Sequence, residues 1–137
     1  MKMVWETHKI LDENISVNPT AVRVPVLVGH AESIYIETEK EIDIELAKNC
    51  LNEFAGISVI DNVQEVDFPT SFEHGHGTDD VYVGRIRKGL SKNNSLNLWV
   101  VADNVRKGAA LNSIQIAENL VGSETVSYTH LRAHETE

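Results

Sequence analysis

Apolar positions recur along this chain with two periods, and the switches between them mark out its elements. Met3, Thr7, Ile10 and Leu11 fall on one side of a helical projection, so Met3–Leu11 reads as the end of a helix. Asn14–Pro19 reads as a turn. Thr20–Val28 and Glu32–Thr38 read as strands, the second alternating Ile34 and Ile36 against Tyr35 and Glu37. Asp43 offers a cap to a helix over Ile44–Phe54, with Leu46, Cys50, Leu51 and Phe54 as its apolar stripe and Gly56 as its stop. Ile57–Ile60 is a short strand, and polar, Gly-rich Asp61–Thr78 is a loop. Asp80–Arg87 and Ser95–Ala102 are strands that the turn Lys88–Asn94 joins as a hairpin. Asp103 and Asn104 offer caps to a last helix, Arg106–Leu120. Alternation puts Arg85 and Arg87 on one face of their strand and Tyr82 and Gly84 on the other. The order α-β-β-α-β-β-β-α argues an α+β domain, a mixed sheet with helices on one face.

Composition narrows the partners. A chain of 137 residues suffices for one domain with a real core. The net charge of −9 opposes nucleic acid, whose phosphates seek basic surfaces. A local pocket of Lys and Arg still suits a small anionic substrate. One cysteine excludes a disulfide framework or a zinc ribbon and fits a reducing, cytoplasmic setting. Neither a membrane-length apolar run nor a signal peptide is expected from the sequence.

The most informative chemistry lies in Arg23-Val24-Pro25-Val26-Leu27-Val28-Gly29-His30. In a straight strand the odd separation of Arg23 and His30 would place them on opposite faces. Pro25 lacks a ladder donor and Gly29 tolerates a bulge, so the run is expected to bend and re-aim His30. A fixed cation beside a titratable imidazole suits an anionic substrate that needs proton transfer. The plainer reading is an edge strand with one exposed Arg and one turn His. Cys50, on an apolar helical stripe, is expected to be buried and inert. His74 and His76 read as members of a flexible, solvated loop, His8 as a helix-surface residue, and no metal site is expected.

A resemblance adds to this reading. Lys2-Met3, Glu6-Thr7, Val22-Arg23-Val24-Pro25-Val26 and Gly29-His30 are followed by Val83-Gly84-Arg85-Ile86-Arg87. Then come Leu98-Trp99-Val100-Val101-Ala102-Asp103-Asn104 and Lys107-Gly108-Ala109-Ala110-Leu111-Asn112 with Gln115-Ile116-Ala117-Glu118. In this order they resemble the C-terminal part of the aspartate-semialdehyde dehydrogenase family, from Met1 to about Val121. The resemblance implies the C-terminal domain type shared with glyceraldehyde-3-phosphate dehydrogenase, whose open sheet face packs against a second subunit. It implies a homodimer or homotetramer, with NADP as cofactor and aspartyl phosphate, aspartate semialdehyde and phosphate as ligands, in lysine, threonine and methionine biosynthesis. His30 then matches the acid–base histidine and Arg23 the arginine for the substrate carboxylate. Lys2 matches a lysine for the substrate or phosphate anion, and Asn112 an asparagine near the nicotinamide.

The resemblance also bears on domain limits. Residues 1–121 read as the catalytic and dimerisation domain, with an NADP-binding domain and the nucleophilic cysteine expected upstream. Residues 122–137 read as a non-native tail, because Val126 to Thr136 resembles a translated sequencing adapter. His130 and His134 are therefore not read as ligands. Such a chain alone is expected to be inactive. Two other readings stand beside this one: a non-catalytic binding or dimerisation module of the same fold, and a relative of N-acetyl-glutamyl-phosphate reductase.

Overall fold

The computed structural model describes residues 2–123. Its centre is a four-stranded sheet built from β1 (His30–Glu37), β2 (Ile57–Val59), β3 (Val81–Lys88) and β4 (Ser95–Ala102), in the order β1-β4-β3-β2. β1 and β3 run antiparallel to β4, and β2 runs parallel to β3, so the sheet is mixed as expected. The helices are α1 (Lys2–Ile10), α2 (Ile44–Glu53) and α3 (Leu111–Ser123), with π-helical turns at Ser71–Gly75 and Arg106–Ala110. The tail proposed from sequence lies outside the described residues from position 124 onward; α3 itself runs to Ser123.

One sheet face meets α2. Ile34 pairs with Leu98 and Val83 with Val100, and alternation sends these four side chains to one side. Val83, Ile86, Leu96 and Leu98 are buried there, and Ile42, Ile44, Ala47 and Leu51 pack against them. Each fully buried Val or Leu contributes about 1.5–3 kcal/mol. The α2 start is fixed as the sequence predicts, since Asp43 Oδ1 accepts from Leu46 N at 2.9 Å. Its buried stripe is different. Ile44, Ala47 and Leu51 face the core, whereas Leu46 and Phe54 are exposed, and so is Cys50. Two adjacent apolar stripes exist on this helix, and docking against Leu98 and Val83 selects the one that continues from Ile42.

The other face carries the loop 61–78, packed against the sheet rather than solvated. Trp99 Nε1 donates to Pro69 O at 2.9 Å, and Pro69 lies over Gly84. Buried Gly75 presses on Val101, which is fully buried. His74 Nδ1 accepts from Thr70 N at 3.1 Å, and its ring sits 5.7 Å from that of Tyr82. His74 is therefore a structural acceptor rather than a solvated side chain. Within Glu73-His74-Gly75-His76-Gly77, Gly75 allows close approach to the sheet, and Gly77 takes a left-handed φ of +74.

β3 also departs from simple alternation. Gly84 pairs with Trp99 and Arg87 with Asn97, so three steps on β3 match two on β4, a one-residue bulge. Arg87 consequently shares a face with Gly84 and is not grouped with Arg85. Arg85 sits at φ +55, a conformation costing ~1–2 kcal/mol for a non-glycine residue. Asp61 holds it there: Oδ1 accepts from Arg85 N at 2.7 Å, while buried Oδ2 lies 3.1 Å from Lys48 Nζ. That second contact is an ion pair without hydrogen-bond geometry.

Thr20–Val28 is not a strand. Val26 N donates to Val24 O at 2.9 Å, which closes a three-residue turn about Pro25. The bend expected at Pro25 is present, but its proline also removes the donor that a ladder would need. Val22, Val24, Val26 and Leu27 are all exposed. α1 buries none of its residues. His8, half-buried on α1, meets Ile15 O through Nε2 at 2.8 Å and so secures the turn that follows the helix.

Candidate functional site

The register collects the candidate residues at one rim of the sheet. β1, β2 and β3 begin there and β4 ends there: His30 pairs with Ala102, Tyr82 with Val101, and Ile57 with Val81. The two edge strands, three spacings apart, are separated by roughly 14 Å. His30 opens β1 on one side and Gly56 precedes β2 on the other. Asp103 stands between them.

His30 is held from behind. Gly29 has φ +81, and a Cβ on it would lie 2.9 Å from both Cβ and the carbonyl oxygen of Ser71. Ser71 opens the π-helical turn. At the far end of that turn, a Cβ on Gly75 would lie 2.8 Å from Val101 Cγ1 and 3.3 Å from the Ala102 carbonyl carbon. The turn thus touches both strands where they meet at His30. The imidazole is free on its outer side: it is 64% exposed, with Nε2 3.5 Å from Glu32 Oε1. Changing Gly29 to Ala is expected to cost about 1–3 kcal/mol, because left-handed φ and a backbone clash act together. Thermal unfolding of Gly29→Ala against Gly29→Asn separates the two, since Asn tolerates the dihedral but not the clash.

Asp103 is buried, 6% exposed, and its carboxylate is used fully by backbone donors. Oδ2 accepts from Gly77 N at 2.8 Å; Oδ1 accepts from Val105 N at 2.8 Å and Arg106 N at 3.0 Å. The Gly77 amide first, then those of Arg106 and Val105, lower its pKa below the ordinary carboxylate value. A lowered folded value means that its stabilisation is complete above the unfolded value of roughly 3.9 and is lost as pH falls through the folded one. Asp103→Asn is therefore expected to flatten the acid side of a Tm-against-pH curve, measured from neutral pH down to the acid transition.

Asn112 lies in the first turn of α3, in an open cleft of about 340 Å³ that Phe54, Gly56, Lys107 and Gln115 also line. Lys107 Nζ donates to Gln115 Oε1 at 2.6 Å. A Cβ on Gly108 would meet nothing nearer than 3.9 Å, so packing among the described residues does not use its small size. His30, Arg23 and Lys2 do not line this cleft. Arg23 is exposed on the bent segment before β1, and among the described residues it makes no hydrogen bond or ion pair. Lys2 begins α1 and pairs only loosely with Glu6, at 3.5 Å with both groups exposed. The structure thus places His30 and Asn112 on one rim and leaves Arg23 and Lys2 on segments that the sheet does not hold.

Sequence reasoning missed the clamp made by Asp103 and the turn behind Gly29. The run of small residues at Gly75 and Gly77 was the available signal. Among the described residues, no group of three His, Cys, Asp or Glu side chains is placed to hold a metal, and no helix is long and apolar enough to cross a membrane. His130 and His134 lie outside the described residues.

Comparison with known proteins defines the class. The family described as "Semialdehyde dehydrogenase, dimerisation domain" matches residues 1–107, and the chain belongs to that family. Within it, the similar proteins are aspartate-semialdehyde dehydrogenases. The enzyme of Legionella pneumophila is 52% identical over 121 residues, covering 88% of this chain and 35% of the relative. That of Shewanella violacea is 56% identical over 122 residues, with 88% and 36% covered. The crystal structure of aspartate semialdehyde dehydrogenase II from Vibrio cholerae, complexed with ASA, superposes with a TM-score of 0.83 at 52% identity, covering 90% of this chain and 36% of that one. The chain thus spans about a third of the length of these relatives. Its mixed sheet with helices is that of their C-terminal dimerisation domain.

Proposed function

We propose that this chain supplies the substrate-binding, acid–base and dimerisation part of an aspartate-semialdehyde dehydrogenase. Such an enzyme reduces L-4-aspartyl phosphate to L-aspartate 4-semialdehyde and releases phosphate, in the biosynthesis of lysine, threonine and methionine. The observation that carries the reading is the placement of His30. Gly29 and the Ser71–Gly75 turn fix its backbone, while the imidazole stays open on the side where a substrate can approach. In the reverse direction His30 takes the proton from the thiol or the hemithioacetal, and in the forward direction it returns it. Imidazole suits both because it exchanges protons near neutral pH. Arg23 grips the substrate carboxylate with its planar fork, which fixes the reacting carbon. Lys2 offers a second positive charge to the phosphate or carboxylate.

Asn112 and its cleft fit the carboxamide end of a nicotinamide: an amide faces an amide, with Lys107 and Gln115 beside it and Gly56 leaving room. The bound cofactor, read as NADPH in the forward direction, would supply the hydride. Asn112 orients that end. Cys50 is exposed on α2 and is not the nucleophile in this reading, so a cysteine from another segment of the assembled enzyme is required. The partners are the small-molecule substrate and a second copy in a homodimer or homotetramer, in the cytoplasm.

The test is a transplant. Residues 2–121 replace the corresponding third of the Vibrio cholerae dehydrogenase, and phosphate-dependent NADPH formation from aspartate semialdehyde is measured. Activity within about tenfold of the parent is expected, and none from the 137-residue chain alone. A folded, dimeric but inactive transplant would favour a non-catalytic module instead.

A further inference from the structure

We propose that Asp103 is a positioning residue that keeps the two sides of the rim in one frame, joining the turn behind His30 to the helix that carries Asn112. The proposal rests on the roles read for His30 and Asn112. A carboxylate that only capped the last helix would need a single oxygen, and Oδ1 already does this through Val105 N and Arg106 N. Oδ2 does something else. It takes the amide of Gly77, 26 positions away in sequence, at 2.8 Å. Gly77 reaches it with φ +74 and with nothing packed within 4 Å of the position where a Cβ would stand, so this bond locates the residue together with the Thr78 hydroxyl, which donates to His74 O at 2.8 Å. Two residues earlier, Gly75 presses against Ala102, the strand partner of His30, and Ser71 closes against Gly29.

The other groups near Asp103 leave this role to it. His76 Nδ1 stands 3.9 Å from Oδ2, beyond hydrogen-bond range, and is mostly exposed. The Arg106 guanidinium turns away to Asp79, ahead of β3. The carboxylate is met by three amides from two segments. One segment buttresses His30; the other runs through the π-helical turn Arg106–Ala110 into Asn112. Loss of the Gly77 bond would loosen one segment against the other, and a shift of about 1 Å at a reacting group can cost on the order of 10²-fold in rate.

Asp103→Ser separates the two functions, because Ser is a good helix cap but is too short to reach Gly77 as well. In the 137-residue chain, hydrogen exchange of the Gly77 amide is expected to accelerate more than tenfold, and the His30 imidazole resonances to move. The Val105 and Arg106 amides should stay protected. In the transplanted dehydrogenase, kcat should fall about 10- to 100-fold with KM for the semialdehyde within about threefold. Asp103→Asn, which presents an amide nitrogen or a single acceptor, should behave in the same way. Unchanged Gly77 exchange and unchanged His30 resonances in Asp103→Ser would overturn the proposal. So would parental kcat in that variant, while a strongly lowered kcat in His30→Ala would leave the reading of His30 intact. A fully active His30→Ala would remove the reading itself, and the proposal with it.

Discussion

Replacing His30 by alanine in the transplanted dehydrogenase is expected to lower kcat by about 10²–10⁴-fold, the span ordinarily contributed by one well-placed general acid–base group. KM should change little, because the imidazole meets the proton in flight rather than the substrate's fixed charges. The structural ground is the contrast between a held backbone and a free ring. Gly29 against Ser71 and Gly75 against Ala102 leave the peptide little room, while the ring is open to a ligand. Steady-state kinetics at saturating semialdehyde give the answer. A kcat within threefold of the parent would end the assignment of His30. Arg23→Leu should show the opposite split, raising KM more than it lowers kcat.

Gly84→Ala is expected to damage the fold severely, costing more than about 3 kcal/mol, beyond the ordinary range for overpacking. A Cβ there would collide with the backbone carbonyl of Ile60 and come within 2.5 Å of Pro69 Cδ. Neither neighbour can yield cheaply. Ile60 is tied to the sheet by its own amide, which donates to Val83 O at 2.9 Å, and Pro69 is held by Trp99. Displacing Pro69 would free the layer over Val101. Gly122→Ala is the control: a Cβ there meets nothing within 4 Å, and in a helix Ala is favoured over Gly by up to about 1 kcal/mol. Denaturant melts of both variants should therefore move in opposite directions.

What the sequence disclosed depended on whether the deciding force was local. The cap at Asp43, the stop at Gly56 and the β3–β4 hairpin follow from bonds among near neighbours, and each is present. The last helix begins as a π-helical turn, but its position agrees. The failures are places where a distant partner decides. Val22, Val24 and Val26 alternate like a strand, yet Pro25 turns the chain and no ladder receives it. Leu46-Cys50-Phe54 and Ile44-Ala47-Leu51 are equally apolar by period, and only the sheet selects between them. The polar stretch 61–78 looks solvated, yet Gly84 admits its Pro69 and its own Gly75 meets Val101 at close range. His30 was legible through its glycine. The rest of its frame was not, because Asp103 reads locally as a helix cap and its second oxygen serves a residue far along the chain.

The strand order has a consequence for the time course of folding. β3 and β4 are joined by a short turn and can pair within microseconds of collapse. β1 must find β4 across most of the domain, since Glu37 meets Ser95 and His30 meets Ala102, with α2, β2 and β3 all intervening in the chain. Such long-range closure is slower than pairing across a short turn. β1 is also an edge strand, so it has one ladder to lose and opens more readily than β4 in the native state. The proposed acid–base residue thus rides on an edge strand that pairs after the hairpin, and proton-transfer competence should appear in refolding only after the hairpin signal is complete.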